Sequence, residues 1–397
     1  MKKIVLMLIL MMGFASFSNL PAQDLSGQKT QPISFADAVK ENFSRWDSNG
    51  DGVLSKDEIV AALSNRKIRD EAAAAIVAIA NIVRTDKYNL PPLTKDYLVS
   101  SPLKKQKSSD TDTDSEDDTS KSEKLNTPPV FQPLYLAHLK RLQSTSRDLF
   151  PQILPSMEAI HQGLGDCTFI STVGAMVHRD PVAVKAMFSK NDNGSITVHL
   201  GNGENIKIFV TDADIALFTS AKTNGLWLTA LEKAYRKSLS KTLRPYETST
   251  KTLHLDGEER PNIYEKFSGP TIEILAGHKT RPVKLEGIRP DSPQFSKLRQ
   301  ELIAAQRDHL LIKAGVAGGH KMVPKIAGDH AYAVLGYDKK RDLVHIWNPW
   351  GNTFIPDGSD SIQNGYTTKG GEFEIPLKDF VMVYSDVNFE TKTPYRD

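Results

Sequence analysis

The sequence predicts an α+β fold, with helices in the first part of the chain and strands in the last. Three observations carry this. Between about residues 33 and 98, apolar residues such as Phe35, Val39 and Phe43 recur at helical spacing, and residues 71–83 are rich in Ala and Ile. Residues 225–238 form a second amphipathic helical stretch. Residues 330–337, 343–347 and 372–375 are instead rich in β-branched and aromatic side chains, the composition of strands. A chain of 397 residues suits two or three domains at roughly 100–200 residues each.

The N-terminus carries a different signal. Lys2 and Lys3 precede an apolar run from Ile4 to Met12, and small residues follow around Ala15, Ser16 and Ser18. That order is a secretory signal peptide, assigned to residues 1–22, which predicts a secreted or periplasmic protein. No later stretch reaches the ~18 apolar residues of a membrane helix, so no stable membrane span is expected once the signal is removed. Without Lys2 and Lys3 the charges balance at 48 basic against 48 acidic residues. A chain so balanced has no overall pull towards nucleic acid. The single cysteine, Cys167, excludes an intramolecular disulfide and any cysteine-rich zinc site.

Residues 32–99 are read as one helical domain and residues 100–129 as a linker. The linker runs from Lys104-Lys105-Gln106-Lys107 into the acidic stretch from Ser108 to Asp118, without aromatics or apolar period. Such a segment buries too little surface to offset its ordering entropy, and disorder is expected. Inside the helical domain, residues 47–58 have the spacing of an EF-hand loop. Calcium takes six to eight oxygens. Asp47, Asn49 and Asp51 offer side-chain oxygens at loop positions 1, 3 and 5, and Val53 its backbone carbonyl at position 7. Ser55 stands at position 9 and Glu58 closes the loop at position 12, with Gly52 at the sharp turn. Leu54 is expected to point inward. Leu93-Thr94-Lys95-Asp96-Tyr97 echoes residues 54–58, so a second loop would begin at Asp86. Tyr88, Leu90, Pro92 and Tyr97 replace its ligands, and this partner loop is expected to be calcium-free. Calcium is the one cofactor expected.

Residues 130–392 carry the reactive groups. Cys167 follows Gly165-Asp166 and begins an apolar stretch, the pattern of a thiol at the start of a buried helix. His330 opens one strand and Asn348 ends the next, so imidazole and amide are expected side by side. Asn348 would orient one ring nitrogen and leave the other for a thiol, with Trp347 or Trp350 shielding the bond from water.

These residues bring a resemblance into view. Residues 155–167, Leu226-Trp227-Leu228-Thr229-Ala230-Leu231-Glu232-Lys233-Ala234-Tyr235, the His330 segment and Asn348-Pro349-Trp350-Gly351 resemble the calpain family of cysteine proteases, in the family's order. Gly371-Glu372-Phe373 with Leu377-Lys378-Asp379-Phe380 resembles its closing strand and helix. The resemblance implies a papain-like, two-lobed domain, one lobe helical and one strand-rich, with the cleft between them. It implies Cys167 as nucleophile, His330 as base and acid, Asn348 as orienting residue and Gln162 as an oxyanion donor. Two departures stand out: the loop from Gln162 to Cys167 is one residue shorter than in the family, and Thr168 replaces an aromatic. The expected activity is calcium-dependent endopeptidase action on protein or peptide substrates. A catalytically silent, calcium-stabilised binding protein on the same scaffold is the alternative, and a thiol-dependent transferase a further one.

Overall fold

The computed structural model describes residues 33–85, 87–102, 124–152, 154–160, 166–218, 224–242, 252–253, 259–260, 270–318 and 323–396. The signal peptide, most of the acidic linker, Asp86 and Gln162 lie outside the described residues. Residues 34–397 belong to one compact unit. Among the described residues, no helix is long and apolar enough to cross a membrane.

The chain opens with helices α1 (Phe35–Trp46), α2 (Lys56–Ser64), α3 (Asp70–Thr85) and the short α4 (Lys95–Val99). Ser34 caps α1 by accepting from the Asp37 N–H, and Thr94 caps α4 through the Tyr97 N–H. The apolar face of α1 buries Phe35, Val39, Phe43 and Trp46, and nearly every residue from Ala72 to Ile82 of α3 is buried. Between α1 and α2, Val53 bridges to Thr94 and the Leu54 N–H donates to Leu93 O at 3.1 Å. The two similar segments are thus paired back to back, and Leu54 is buried as expected.

The linker is not a spacer between distant bodies. Its described ends meet: Ser101 Oγ donates to Pro129 O at 2.9 Å, and Tyr88 bridges to Leu125. The chain then enters α5 (Gln132–Ser144), which packs on α1 and α3. Phe35 and Phe131 stack with centroids 4.9 Å apart, and Tyr135 meets Phe35 edge-on. The helical module therefore shares its core with the following domain.

That domain begins with a one-turn 3-10 helix, Met157–Ala159, then α6 (Cys167–Arg179) and α7 (Pro181–Ala186). Strands β1 (Phe188–Lys190), β2 (Ile196–His199) and β3 (Asn205–Ile208) form an antiparallel meander. Next come α8 (Asp212–Leu217), α9 (Trp227–Thr242), two-residue strands β4 (Thr252–Leu253) and β5 (Glu259–Arg260), and α10 (Thr271–Ala276). The first lobe is thus not purely helical, contrary to expectation. The remaining elements are β6 (His278–Lys284), α11 (Pro293–Arg307), β7 (Ile312–Val316), β8 (His330–Asp338), β9 (Leu343–Trp347), β10 (Glu372–Pro376), α12 (Leu377–Val383) and β11 (Asp386–Pro394). Six of these strands make an antiparallel sheet in the order β10-β9-β8-β7-β11-β6. The mixed helix-and-sheet architecture agrees with the predicted α+β class.

The helical module docks on α8. Thr211 Oγ1 donates to Leu63 O at 3.2 Å, and the Asp70 N–H donates to Asp212 Oδ2 at 2.9 Å. Arg147 grips the same carboxylate at 2.5 and 3.1 Å.

One close approach sets where α6 lies. α6 crosses the sheet at Gly174, where an added Cβ would stand 2.3 Å from the buried Trp347 ring. Gly174→Ala is expected to cost about 1–3 kcal/mol by overpacking. Because the helix must move to relieve it, thiol reactivity at Cys167 should fall as well. Urea denaturation and alkylation rates check the two effects.

Candidate active site

Three of the sequence-predicted residues converge where α6 meets β8. Cys167 is the first residue of α6, so its backbone N–H belongs to the turn that helix geometry leaves without an intrahelical acceptor. Its sulfur accepts from the backbone N–H of Ala331, the residue after His330. His330 is the first residue of β8, and Asn348 directly follows β9. His330 Nε2 and Asn348 Oδ1 are 2.9 Å apart. Asn348 Oδ1 also accepts from the Trp350 N–H at 3.0 Å, which marks it as the oxygen. The shared proton then sits on His330 Nε2, and Nδ1 keeps its lone pair.

The surroundings hold this pair rigidly. Asn348 and His330 are both buried. The Asn348 N–H donates to Gly371 O at 2.8 Å, and a Cβ on Gly371 would meet Asn348 O at 2.4 Å. Gly371 also has φ +88°, so a side chain is excluded there on two grounds. Trp350 lies over His330 at 4.4 Å between centroids, and Tyr332 meets the ring edge-on at 4.8 Å. Of the two tryptophans named as shields, Trp350 is the one over the imidazole. Trp347 packs against α6 instead and donates Nε1–H to Gly370 O at 3.2 Å.

A helix start and a nearby imidazole ordinarily lower a thiol pKa. Burial instead pushes the Cys167 thiol up, only partly countered by the Ala331 N–H, and the Asp166 carboxylate adds to the rise. Burial likewise lowers His330 to about 4, against the opposing bond to Asn348. Thiol and imidazole are therefore both neutral at rest.

Gln162 lies outside the described residues. His345, expected on the strand surface, is half-exposed and faces Glu372 at 3.0 Å. The loop residues predicted for calcium stand elsewhere, between α1 and α2. Asp47 accepts from the N–H groups of Gly50 and Gly52, Asn49 from that of Asp51, and Asp51 from that of Val53. Glu58 reaches back and accepts from the N–H groups of Ser48, Asn49 and Ser55. The Ser55 N–H and hydroxyl contribute most to holding its carboxyl down at about 2. Among the described residues no three His, Cys, Asp or Glu side chains converge as a metal-holding group. The donors of this loop are a mixture of carboxylate, amide, hydroxyl and carbonyl oxygens, a set that fits a hard cation and no soft one.

Reasoning from the sequence missed three things here. The β1–β3 meander was legible in the alternation of Ile196 with Val198 and Ile206 with Ile208 around Asn193-Gly194 and Gly201-Asn202-Gly203. The docking through α8 and a buried lysine on β7, Lys313, had no local signal.

The chain is similar to the calpain-type cysteine protease DEK1 of Zea mays, 27% identical over 224 residues, covering 51% of this chain and 9% of that protein. It is similar to the calpain-type cysteine protease ADL1 of Oryza sativa subsp. japonica, 28% identical over 237 residues, 54% of this chain and 10% of that protein. DEK1 of Arabidopsis thaliana matches at 27% over 209 residues, 48% of this chain and 9% of that protein. The chain thus spans about a tenth of the length of the curated relatives it matches. The description "calpain family cysteine protease" matches residues 139–389, more than half of the chain and all of the Cys167, His330 and Asn348 region. The chain belongs to the calpain family of cysteine proteases.

Proposed function

We propose that this chain is an exported endopeptidase that hydrolyses peptide bonds through Cys167, His330 and Asn348 and binds calcium at an N-terminal EF-hand. The observation that carries the catalytic reading is the His330 Nε2 to Asn348 Oδ1 bond, with the Cys167 sulfur set against the next residue of the same strand. In this reading Nδ1 of His330 takes the thiol proton as sulfur attacks the scissile carbonyl carbon. The carbonyl oxygen becomes an oxyanion, stabilised by the Cys167 N–H and by the Gln162 side chain. His330 then returns the proton to the departing amine, and the C–N bond breaks. Water, deprotonated by the same nitrogen, cleaves the thioester and frees Cys167. Asn348 keeps the ring tautomer correct throughout.

The test is digestion of an unstructured protein, with and without calcium, by the wild type and by Cys167→Ser. Cleavage by wild type alone supports the proposal. A thiol that alkylates while no substrate is cleaved would favour the silent binding protein, a reading that the raised thiol pKa also supports.

Asp47, Asn49, Asp51, Val53, Ser55 and Glu58 are the residues that would hold calcium. Bound there, the ion would neutralise three carboxylates and tie α1 to α2. Glu58→Gln removes the charge and also weakens the acceptor that closes the loop. Calcium affinity is expected to fall by on the order of 100-fold or more. Calorimetry on the full chain measures this, and unchanged affinity would discard the EF-hand reading. The signal peptide rests on residues 1–22 alone, and N-terminal sequencing of the exported protein checks it.

A further inference from the structure

Lys313 occupies a position that lysine rarely takes. It lies within β7, opposite Ala333 of β8 and Asn388 of β11, and is 5% exposed. Its neighbours Ile312, Ala314 and Val316 enter the core that includes Phe295, Leu298 and Phe380 of α11 and α12. Lys313 alternates to the other face of the sheet, towards α6 and α10. There Nζ donates to Thr271 Oγ1 at 3.3 Å. Thr271 Oγ1 is in turn 3.0 Å from Thr172 Oγ1, which lies 3.0 Å from Thr168 O. A polar thread therefore runs from the ammonium to the first turn of α6, one residue from Cys167.

This arrangement is costly unless a negative charge answers it. Burying an ammonium is costly, and one hydrogen bond to a neutral hydroxyl offsets only part of that cost. Among the described residues Lys313 makes no ion pair. Three groups act on it through their charge: Glu273 from α10, Asp386 from β11 and Cys167 from α6. Glu273 accepts from Thr280, and Asp386 from Ser385 and Asn388; these donors are neutral and bring no cation, so both carboxylates act on the ammonium together with Cys167. Glu390, further along β11, is held by Arg179, His278 and the Leu311 N–H. From β8, Ala331 and Ala333 bring no charge, and His330 is neutral. Cys167 is the group whose charge changes during the reaction.

We propose that Lys313 is the buried counter-charge of the nucleophile, a positioning residue whose ammonium stabilises the Cys167 thiolate from beneath α6. The proposal rests on the reading of Cys167 as nucleophile. Burial lowers Lys313 to about 8, against the opposing charges of Glu273, Asp386 and a thiolate at Cys167.

The experiment measures the rate of Cys167 alkylation by iodoacetamide against pH, in the full chain, for wild type, Lys313→Met and Lys313→Arg. Peptide hydrolysis is followed in parallel, with Cys167→Ser as control. Met keeps the stem and removes the charge. Its alkylation midpoint should move up by about one pH unit, about tenfold slower labelling at neutral pH. Arg should keep the midpoint near that of wild type. Identical midpoints for Met and wild type would overturn the proposal. So would a Lys313→Met chain that fails to fold, because loss of an ammonium without an ion pair should not destabilise. If Cys167→Ser still cleaves peptides while the Met variant shifts the midpoint, the nucleophile reading fails and the charge coupling stands.

Discussion

Replacement of Cys167 by Ser should abolish proteolysis, by on the order of 10⁴–10⁶-fold in kcat/KM. A hydroxyl beside a neutral, buried imidazole is a far weaker nucleophile than a thiol, and the cradle around it cannot compensate. His330→Ala should fall almost as far, because the imidazole that Asn348 orients is lost as the shuttle for the thiol proton. Asn348→Ala should lose less, on the order of 10²-fold, since the ring remains and loses only its orientation. Trp350 and Tyr332 still hold the imidazole from two sides in that variant. Steady-state kinetics on one peptide substrate ranks the three. Equal losses for Asn348→Ala and Cys167→Ser would mean that Asn348 supports the fold rather than the tautomer.

Deleting everything before Val130 should leave a chain that does not fold into an active enzyme. The truncation uncovers Phe131, just before α5, and Tyr135, Leu139 and Leu142 within it, all buried; α5 packs on α1 and α3. Fully exposing such side chains costs roughly 1.5–3 kcal/mol each, a large part of the 5–15 kcal/mol that holds a typical domain together. The deletion also removes the Leu63 and Asp70 bonds to α8 and the Asn81 contact at 2.9 Å to His138. Circular dichroism and thiol-dependent hydrolysis report the result. A folded, active truncation would show that the docked module is dispensable. Cutting the intact chain at Lys104, Lys105 or Lys121 should behave quite differently. The bonds joining Ser101 to Pro129 and Tyr88 to Leu125 remain, so both fragments should elute together and stay active.

The contrast shows what a linear reading reaches. The strands of residues 330–338, 343–347 and 372–376 and the helices of residues 70–85 and 227–242 were legible because each has a local period. The pairing of His330 with Asn348 was legible because both flank consecutive strands, and a short connection makes those strands neighbours. The contact between the described ends of residues 100–129 was not legible, for the opposite reason. Composition reports that a segment cannot form a core, but not whether its ends are held together. The α8 docking and Lys313 depend on residues more than 100 positions apart, such as Asp70 with Asp212, and no window of sequence contains them. The thiol environment was likewise not legible, since burial is set by the whole lobe and outweighed the local helix start.

The strand order has a consequence for biosynthesis. β11 lies between β7 and β6, and β6 has no other partner in the sheet. A chain emerging from the ribosome, or threading through an export channel, delivers Cys167, His330 and Asn348 long before residues 386–394 arrive. Until then β6 and β7 face an empty slot, and the sheet that carries His330 is open in the middle. Pairing across more than 100 residues is slow to close. In the proposed reading the thiol chemistry therefore waits on residues 386–394, because the sheet that carries His330 is closed only when this last strand has been made.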